Sequence, residues 1–161
     1  MKTAAALGAL LLISGLVGCG SAPEPAATPA PVKAAVAPEP PKDHTSLFPD
    51  AGKVGTSMVA DHVLDLKALP GGSWAEYNVK GKKYQEFIID TDSTQTAAFM
   101  LLDVKAQMAN PQYIPWMGGY FGTLGDKQVF CYSKLHYVAG VVGLAEDKAD
   151  PLARTLAAQL H

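Results

Sequence analysis

The sequence predicts an α+β fold, an antiparallel sheet of about five strands with two helices packed on one face. Short runs of β-branched and aromatic residues between turn residues predict the strands. One amphipathic stretch in the middle of the folded part and another at the end of the chain predict the helices. This arrangement buries the apolar stripe of each helix against the apolar face of the sheet.

The strands begin with a hairpin. Residues 73–80 and 83–90 alternate apolar and polar side chains around a turn at Gly81. A short strand is expected over 118–123, and a second hairpin over 127–133 and 136–144, where Val, Phe and Tyr are dense.

The first helix follows the capping residues 92–95 and ends before Asn110-Pro111. One face carries a continuous apolar stripe of Ala97, Met100, Leu101, Val104 and Met108. Phe99, Leu102 and Ala106 lie on the opposite face. We expect the segment Leu47–Leu69 to cover this second face, and the alternative is a groove for a partner.

The second helix is expected to close the chain. Asp150 is placed as its N-cap and Pro151 at its first position. Its buried stripe comprises Leu152, Ala153, Leu156 and Leu160.

The N-terminus has the pattern of a secretory signal. After Lys2, an apolar run of 14 residues covers 4–17 and is followed by Gly18 and Cys19. Such a run is too short to span a bilayer, which takes about 20 residues. Leu16-Val17-Gly18-Cys19 resembles the lipobox of bacterial lipoproteins.

This resemblance implies that residues 1–18 are a signal peptide and that cleavage precedes Cys19. It also implies a diacylglyceryl thioether on the Cys19 sulfur and an acylated amino group, and several acyl chains anchor a protein stably to a membrane. Gly20 rather than Asp follows the cysteine. In such lipoproteins this implies the outer membrane, with the protein facing the periplasm.

Residues 19–46 are predicted to form a disordered tether. Positions 20–46 contain seven prolines, seven alanines and no aromatic residue, so they cannot bury enough apolar surface to fold. The alternative is a proline-rich ligand around residues 38–41. Residues 47–161 are then one globular domain.

Composition excludes some functions. The net charge is −2 and the lysines form only one short group at 80–83, so nucleic-acid binding is not expected. The four histidines show no spacing typical of a metal site, and the glycines match no phosphate or dinucleotide motif. No cofactor or metal is therefore predicted.

One pair of residues raises an enzymatic alternative. With Cys19 lipidated, Cys131 has no partner for an intramolecular disulfide. A two-residue turn at Lys134-Leu135 would place Cys131, Ser133 and His136 on the same face of the hairpin, as a thiol-dependent hydrolase or transferase would require. The other interpretation is a small apolar residue inside the core.

The region 113–121 is the best candidate for binding a partner. Trp116, Met117, Tyr120 and Phe121 crowd a glycine-containing loop, and aromatic and Met side chains are good contact anchors. The other interpretation is that these side chains close the edge of the core.

We therefore predict a non-catalytic domain, tethered to the envelope membrane, that binds an envelope protein or glycan through this loop or the second face of the first helix. A carrier of a small apolar ligand, held between sheet and helices, is a further alternative.

The stretch from Trp74 to Leu160 resembles an uncharacterised family of periplasmic and lipid-anchored bacterial domains. The matching segments are 84–90, 97–99, 118–120, 137–139 and 152–154. The resemblance implies the same order of elements and assigns no site.

Overall fold

A computed structural model describes residues 40–161. The predicted signal peptide, Cys19 and the predicted tether as far as residue 39 lie outside the described residues. Among the residues described, no helix has the length and apolarity needed to cross a membrane.

A single antiparallel sheet organises the fold. Its strands are β1 (Lys53–Asp61), β2 (Pro70–Val79), β3 (Lys82–Asp90), β4 (Ala109–Ile114), β5 (Gly119–Leu124), β6 (Lys127–Lys134) and β7 (Tyr137–Val142). The helices are α1 (Thr94–Gln107) and α2 (Glu146–Gln159). The strand order is β1-β2-β3-β7-β6-β5-β4. The predicted α+β class with an antiparallel sheet is confirmed, but the sheet has seven strands instead of about five.

The two strands that the sequence did not reveal are the two edges of the sheet. Seven of the nine residues of β1 are exposed, so the strand lacks the alternation of apolar and polar side chains that predicts a half-buried strand. Strand β4 contains Asn110-Pro111 and a bulge between Ala109 and Gln112. Proline is tolerated at a sheet edge, where its missing N–H faces away from the ladder.

The helices pack on opposite faces of the sheet, so the prediction of one shared face was wrong. Along β7, Ala139 and Val141 belong to the core cluster of α2, whereas Val138 and Val142 belong to that of α1. All six residues of β7 are buried. A central strand that is apolar on both sides needs cover on both sides. We call the two sides the α1 face and the α2 face.

Helix α1 begins as predicted. The Ser93 hydroxyl caps it by accepting a 3.1 Å hydrogen bond from the Thr96 N–H. Its inner stripe is confirmed, with Ala97, Leu101, Val104 and Met108 buried and Met100 partly buried.

Within residues 40–161, no segment covers the outer face of α1, which corrects the expectation that Leu47–Leu69 would cover it. Phe99 is 59% exposed and Leu102 is 48% exposed. The segment Leu47–Leu69 instead forms the edge strand β1, the 3₁₀ turn Val63–Asp65 and the last residue of the 3₁₀ turn Thr45–Leu47.

Helix α2 begins at Glu146, five residues earlier than predicted, so Pro151 lies inside it and Asp150 is not its cap. The helix packs through its buried residues Ala149, Ala153 and Leu156, with Leu160 just beyond its end. The side chain of Asp150 is therefore available for other contacts.

Candidate functional site

The β4–β5 turn presents Trp116. The turn closes through backbone hydrogen bonds from Met117 N–H to the Ile114 carbonyl (3.2 Å) and from Gly118 N–H to the Pro115 carbonyl (3.3 Å). Gly118 has a φ of +60°, a conformation that glycine adopts without strain. Trp116 is 58% exposed at the tip of this hairpin.

Helix α2 fixes the indole of Trp116. The indole N–H donates a 2.7 Å hydrogen bond to Asp150 Oδ1, and Arg154 Nε donates a 2.9 Å bond to the other carboxylate oxygen. The Arg154 guanidinium lies 5.8 Å from the centroid of the Trp116 ring, in cation–π geometry. Burial acts to raise the pKa of Asp150, but the hydrogen bonds from Arg154 and Trp116 lower it overall, so the carboxylate stays ionised.

A cleft of about 350 Å³ opens beside this indole. Its lining consists of Trp116, Met117, Tyr132, Ser133, Lys134, Arg154, Ala157 and Ala158. The Lys134 ammonium donates to the Ala157 carbonyl, which ties the end of β6 to the last turn of α2. We call this space the Trp116 cleft.

The four predicted contact residues do not form one surface. Trp116 and Met117 line the cleft, and Phe121 packs into the α2-face core beside Phe130, with ring centroids 6.5 Å apart. Tyr120 points to the other face, where Lys105 Nζ lies 5.0 Å from its ring centroid. Neighbouring residues of a strand alternate between faces, so a strand at 119–124 separates Tyr120 from Phe121.

The Cys131–His136 arrangement predicted from the sequence is wrong in its register. Lys134 pairs with Tyr137, so the turn consists of Leu135 and His136, one residue later than expected. Cys131 is fully buried in the α1-face core, and burial raises the pKa of its thiol. A buried neutral thiol lacks the thiolate that nucleophilic catalysis requires, so this geometry does not favour a Cys131 nucleophile.

His136 belongs to a different cluster at the end of β3. Asp90 Oδ2 lies 2.7 Å from His44 Nε2 and 3.9 Å from His136 Nε2, and Lys42 Nζ lies 3.3 Å from Oδ1. The backbone N–H of His44 also donates to the Ser73 hydroxyl at 2.8 Å. These contacts fasten residues of the predicted tether to the domain.

A buried carboxyl group lies on the α2 face. Glu86 pairs with Ala75 and Val141 across the sheet, and burial raises its pKa to about 7, even though Tyr77 and Lys53 act to lower it. Glu86 Oε2 and the Tyr132 hydroxyl are buried without a hydrogen-bond partner among residues 40–161.

A larger cleft of about 540 Å³ lies on the α1 face. Its lining consists of Val59, His62, Leu64, Asp65, Leu66, Trp74, Gln107, Leu124, Gly125, Asp126, Lys127, Val129 and Val142. We call it the Trp74 cleft. A space of this kind is what a ligand carrier requires, and the carrier function stays a prediction.

No cluster of three or more His, Cys, Asp or Glu residues in the described part of the chain has the geometry to hold a metal ion. Comparison with family models, with curated proteins and with solved structures finds no match to this chain. The resemblance to a periplasmic family stays a prediction.

Sequence reasoning identified Trp116 and Met117 but missed Asp150 and Arg154. The signal for this pair was the i, i+4 spacing of opposite charges on a predicted helix. That spacing is common on solvated helices, and only the tertiary structure places it under the indole.

Proposed function

We propose that this chain is a lipid-anchored envelope protein whose folded domain binds another envelope protein without catalysing a reaction. The anchor is Cys19, and the expected location is the outer membrane, facing the periplasm. The binding surface is the Trp116 cleft. The lipobox pattern supports the anchor, and the geometry around Trp116 supports the surface.

The observation that carries this proposal is an exposed indole held in one orientation. An exposed aromatic ring normally loses rotamer freedom when a partner immobilises it, which weakens binding. Trp116 is already held by Asp150 and Arg154, so little further freedom is lost. Aromatic anchors of this kind dominate binding energy at protein interfaces.

A protein partner is favoured over a glycan by the residue types around the cleft. Trp116, Met117 and Arg154 belong to the three kinds of residue, aromatic, Met and Arg, that are enriched at protein interfaces. The aliphatic floor from Ala157 and Ala158 accepts an apolar side chain, and Tyr132 lines the same cleft.

Photo-crosslinking in intact envelopes tests this proposal. The probe replaces Pro115, which is exposed next to Trp116, so that the indole itself is retained. A matched probe replaces Val54, which is exposed on β1 at the opposite edge of the sheet. We expect a discrete protein adduct from position 115 and none from position 54.

Two further variants sharpen the result. Trp116→Ala should remove the adduct, and Cys19→Ser should remove it by releasing the chain from the membrane. An adduct that is equal at both positions, is unaffected by Trp116→Ala, or contains glycan instead of protein would overturn the proposed partner. An adduct unaffected by Cys19→Ser would overturn the requirement for the anchor.

A further inference from the structure

One wall of the Trp74 cleft is a strained turn that is anchored by buried side chains. His62, Leu64 and Asp65 have φ values of 57°, 62° and 60°, a left-handed conformation that is strained for a bulky residue such as Leu64 and better tolerated by His and Asp. Val63 and Leu69 are each only 1% exposed and pin the turn to the sheet. Strain of this kind persists only where surrounding contacts impose it, and it concentrates at ligand sites.

The turn also has its own hydrogen bonds. Asp65 N–H donates to the His62 carbonyl at 2.9 Å, and His62 N–H donates to the Leu69 carbonyl at 3.1 Å. The partly buried side chains of Leu64 and Leu66 line the cleft from this turn. The wall is therefore preformed, which lowers the entropy lost on binding.

The floor of the cleft is apolar and comes from several strands. Trp74 of β2 stacks on Phe87, with ring centroids 6.3 Å apart and 21° between the planes. Val129 of β6 and Val142 of β7 continue the floor. The volume falls in the range of small-molecule sites, roughly 300–1,000 Å³. An apolar body, and a planar ring above all, fits on this floor.

The rim of the cleft has a net negative charge. Asp65 and Asp126 contribute two carboxylates against the single ammonium of Lys127. The imidazole of His62 lies 3.5 Å from the Asp61 carboxylate.

The end of helix α1 adds to this negative potential. Gln107, the last residue of α1, lines the cleft, and the C-terminal end of a helix carries a partial negative charge. Lys105 is the basic residue in the last turn of α1. Its ammonium lies over the ring of Tyr120 in β5, and Lys105 does not line the cleft. Both features favour a cation at the rim.

We infer that the Trp74 cleft is a second binding site, independent of the Trp116 cleft, for a small molecule with an apolar ring and one cationic amine. The ring lies on Trp74 and the valine floor. The amine is held at the rim by Asp65 and Asp126, next to the end of α1.

Nuclear magnetic resonance of the two indole N–H groups tests both clefts in one experiment. The chain has two tryptophans, Trp74 and Trp116, so each cleft has its own signal, and Trp116→Phe assigns them. The protein is the full chain with Cys19→Ser, so that no acyl chain competes for the cleft. The probes are 4-phenylbutylamine and 4-phenylbutyrate, which share a ring and linker and differ in the sign of the charge.

We expect the amine to shift the Trp74 signal saturably, with a dissociation constant on the order of 1 mM for so small a probe. The carboxylate should bind roughly fivefold more weakly or not at all. Val59→Phe, which fills the cleft from β1 without adding an indole, should abolish the shift, and Val54→Phe on the same strand should leave it unchanged.

The double variant Asp65→Asn, Asp126→Asn tests the charge without filling the cleft. Asn tolerates the left-handed conformation at position 65 as well as Asp does. The control is Asp92→Asn, at an exposed position just before α1. The amine should lose its preference over the carboxylate only in the double variant.

Absence of a saturable shift at Trp74 overturns the site. Equal binding of the two probes, or a preference that survives in the double variant, overturns the assignment of a cationic ligand. A shift confined to the Trp116 signal also overturns the second site, while leaving the proposed protein interface to its own test.

Discussion

The two faces of the sheet bury different chemistry. The α2 face packs Tyr77, Tyr84, Glu86, Tyr132 and Tyr137 among its apolar residues, whereas the α1 face packs aliphatic side chains, Phe87 and the neutral thiol of Cys131. Burial of Glu86 therefore makes the α2 face sensitive to pH. Among residues 40–161, the α1 face buries no carboxyl group, and the space that α1 leaves beside Trp74 forms the larger cleft.

Truncating one phenylalanine on each face has the largest expected effect. Phe130 (α2 face) and Phe87 (α1 face) are both fully buried. Each change to Ala should lower the free energy of unfolding by about 3–5 kcal/mol, measured by urea denaturation of the Cys19→Ser chain. We expect Phe87→Ala to be the milder change, because the half-buried Trp74 can move into its space. A larger loss of stability for Phe87→Ala than for Phe130→Ala would contradict the expectation that Trp74 fills the space left by Phe87.

Glu86→Gln tests whether the pH dependence of the free energy of unfolding comes from the α2 face. The folded-state pKa of about 7 exceeds the ordinary value of 4.5, so the folded protein holds a proton that the unfolded chain has released between these pH values. The contribution of Glu86 to stability is therefore full below about pH 4.5 and falls as the pH rises to about 7, by roughly 3.5 kcal/mol at most, at about 1.4 kcal/mol per pKa unit.

Glu86→Gln should remove this decline and unfold at higher urea than the parent at pH 8, with little difference at pH 4. Glu76→Gln, at an exposed position on β2, is the matched control and should keep the decline. A parent chain with equal stability at pH 4 and pH 8 would contradict a buried ionisable Glu86.

Cys131→Ser tests whether the α1 face tolerates a polar atom. The hydroxyl would be buried among apolar side chains, so we expect a loss of about 1–3 kcal/mol, against a smaller loss for Cys131→Ala. In the Cys19→Ser chain, Cys131 should react with a thiol reagent about 10³-fold more slowly when folded than when unfolded. Fast labelling of the folded chain would restore the thiol-dependent enzyme as a hypothesis.

The smallest expected effect is at the Trp116–Asp150 hydrogen bond. A double-mutant cycle of Trp116→Phe and Asp150→Ala should give a coupling free energy of about 0.5–1.5 kcal/mol, because the bond is charge-assisted but partly exposed. Thermal unfolding of the four proteins measures it. A coupling near zero would mean that the indole is not held in the free protein, which removes the main support for the binding surface.

Local sequence patterns predicted the interior of this fold well and its periphery poorly. The stripe of α1, the Ser93 cap and the two central hairpins follow from periodicity and capping chemistry, which are local properties. The edge strands β1 and β4 were missed because an exposed edge is under little pressure to alternate apolar and polar side chains. Their position became visible only through their pairing with β2 and β5.

The candidate sites show the same division. The sequence identified Trp116 and Met117 because aromatic and Met side chains in a glycine-containing loop are conspicuous in any context. It could not place Asp150 beneath the indole, because the predicted start of α2 made that residue a cap. It also could not reveal the Trp74 cleft, whose walls come from segments that are distant in the sequence.

The sequence by itself determined the fold class, the helical stripes and the lipobox pattern on which the proposed anchor rests. The tertiary structure alone decided that the helices take opposite faces, that Cys131 is inaccessible and that each tryptophan borders its own cleft. The physical reason is that periodicity records whether a side chain is buried but not what buries it. That choice depends on strand order and register, which form only when distant segments pair.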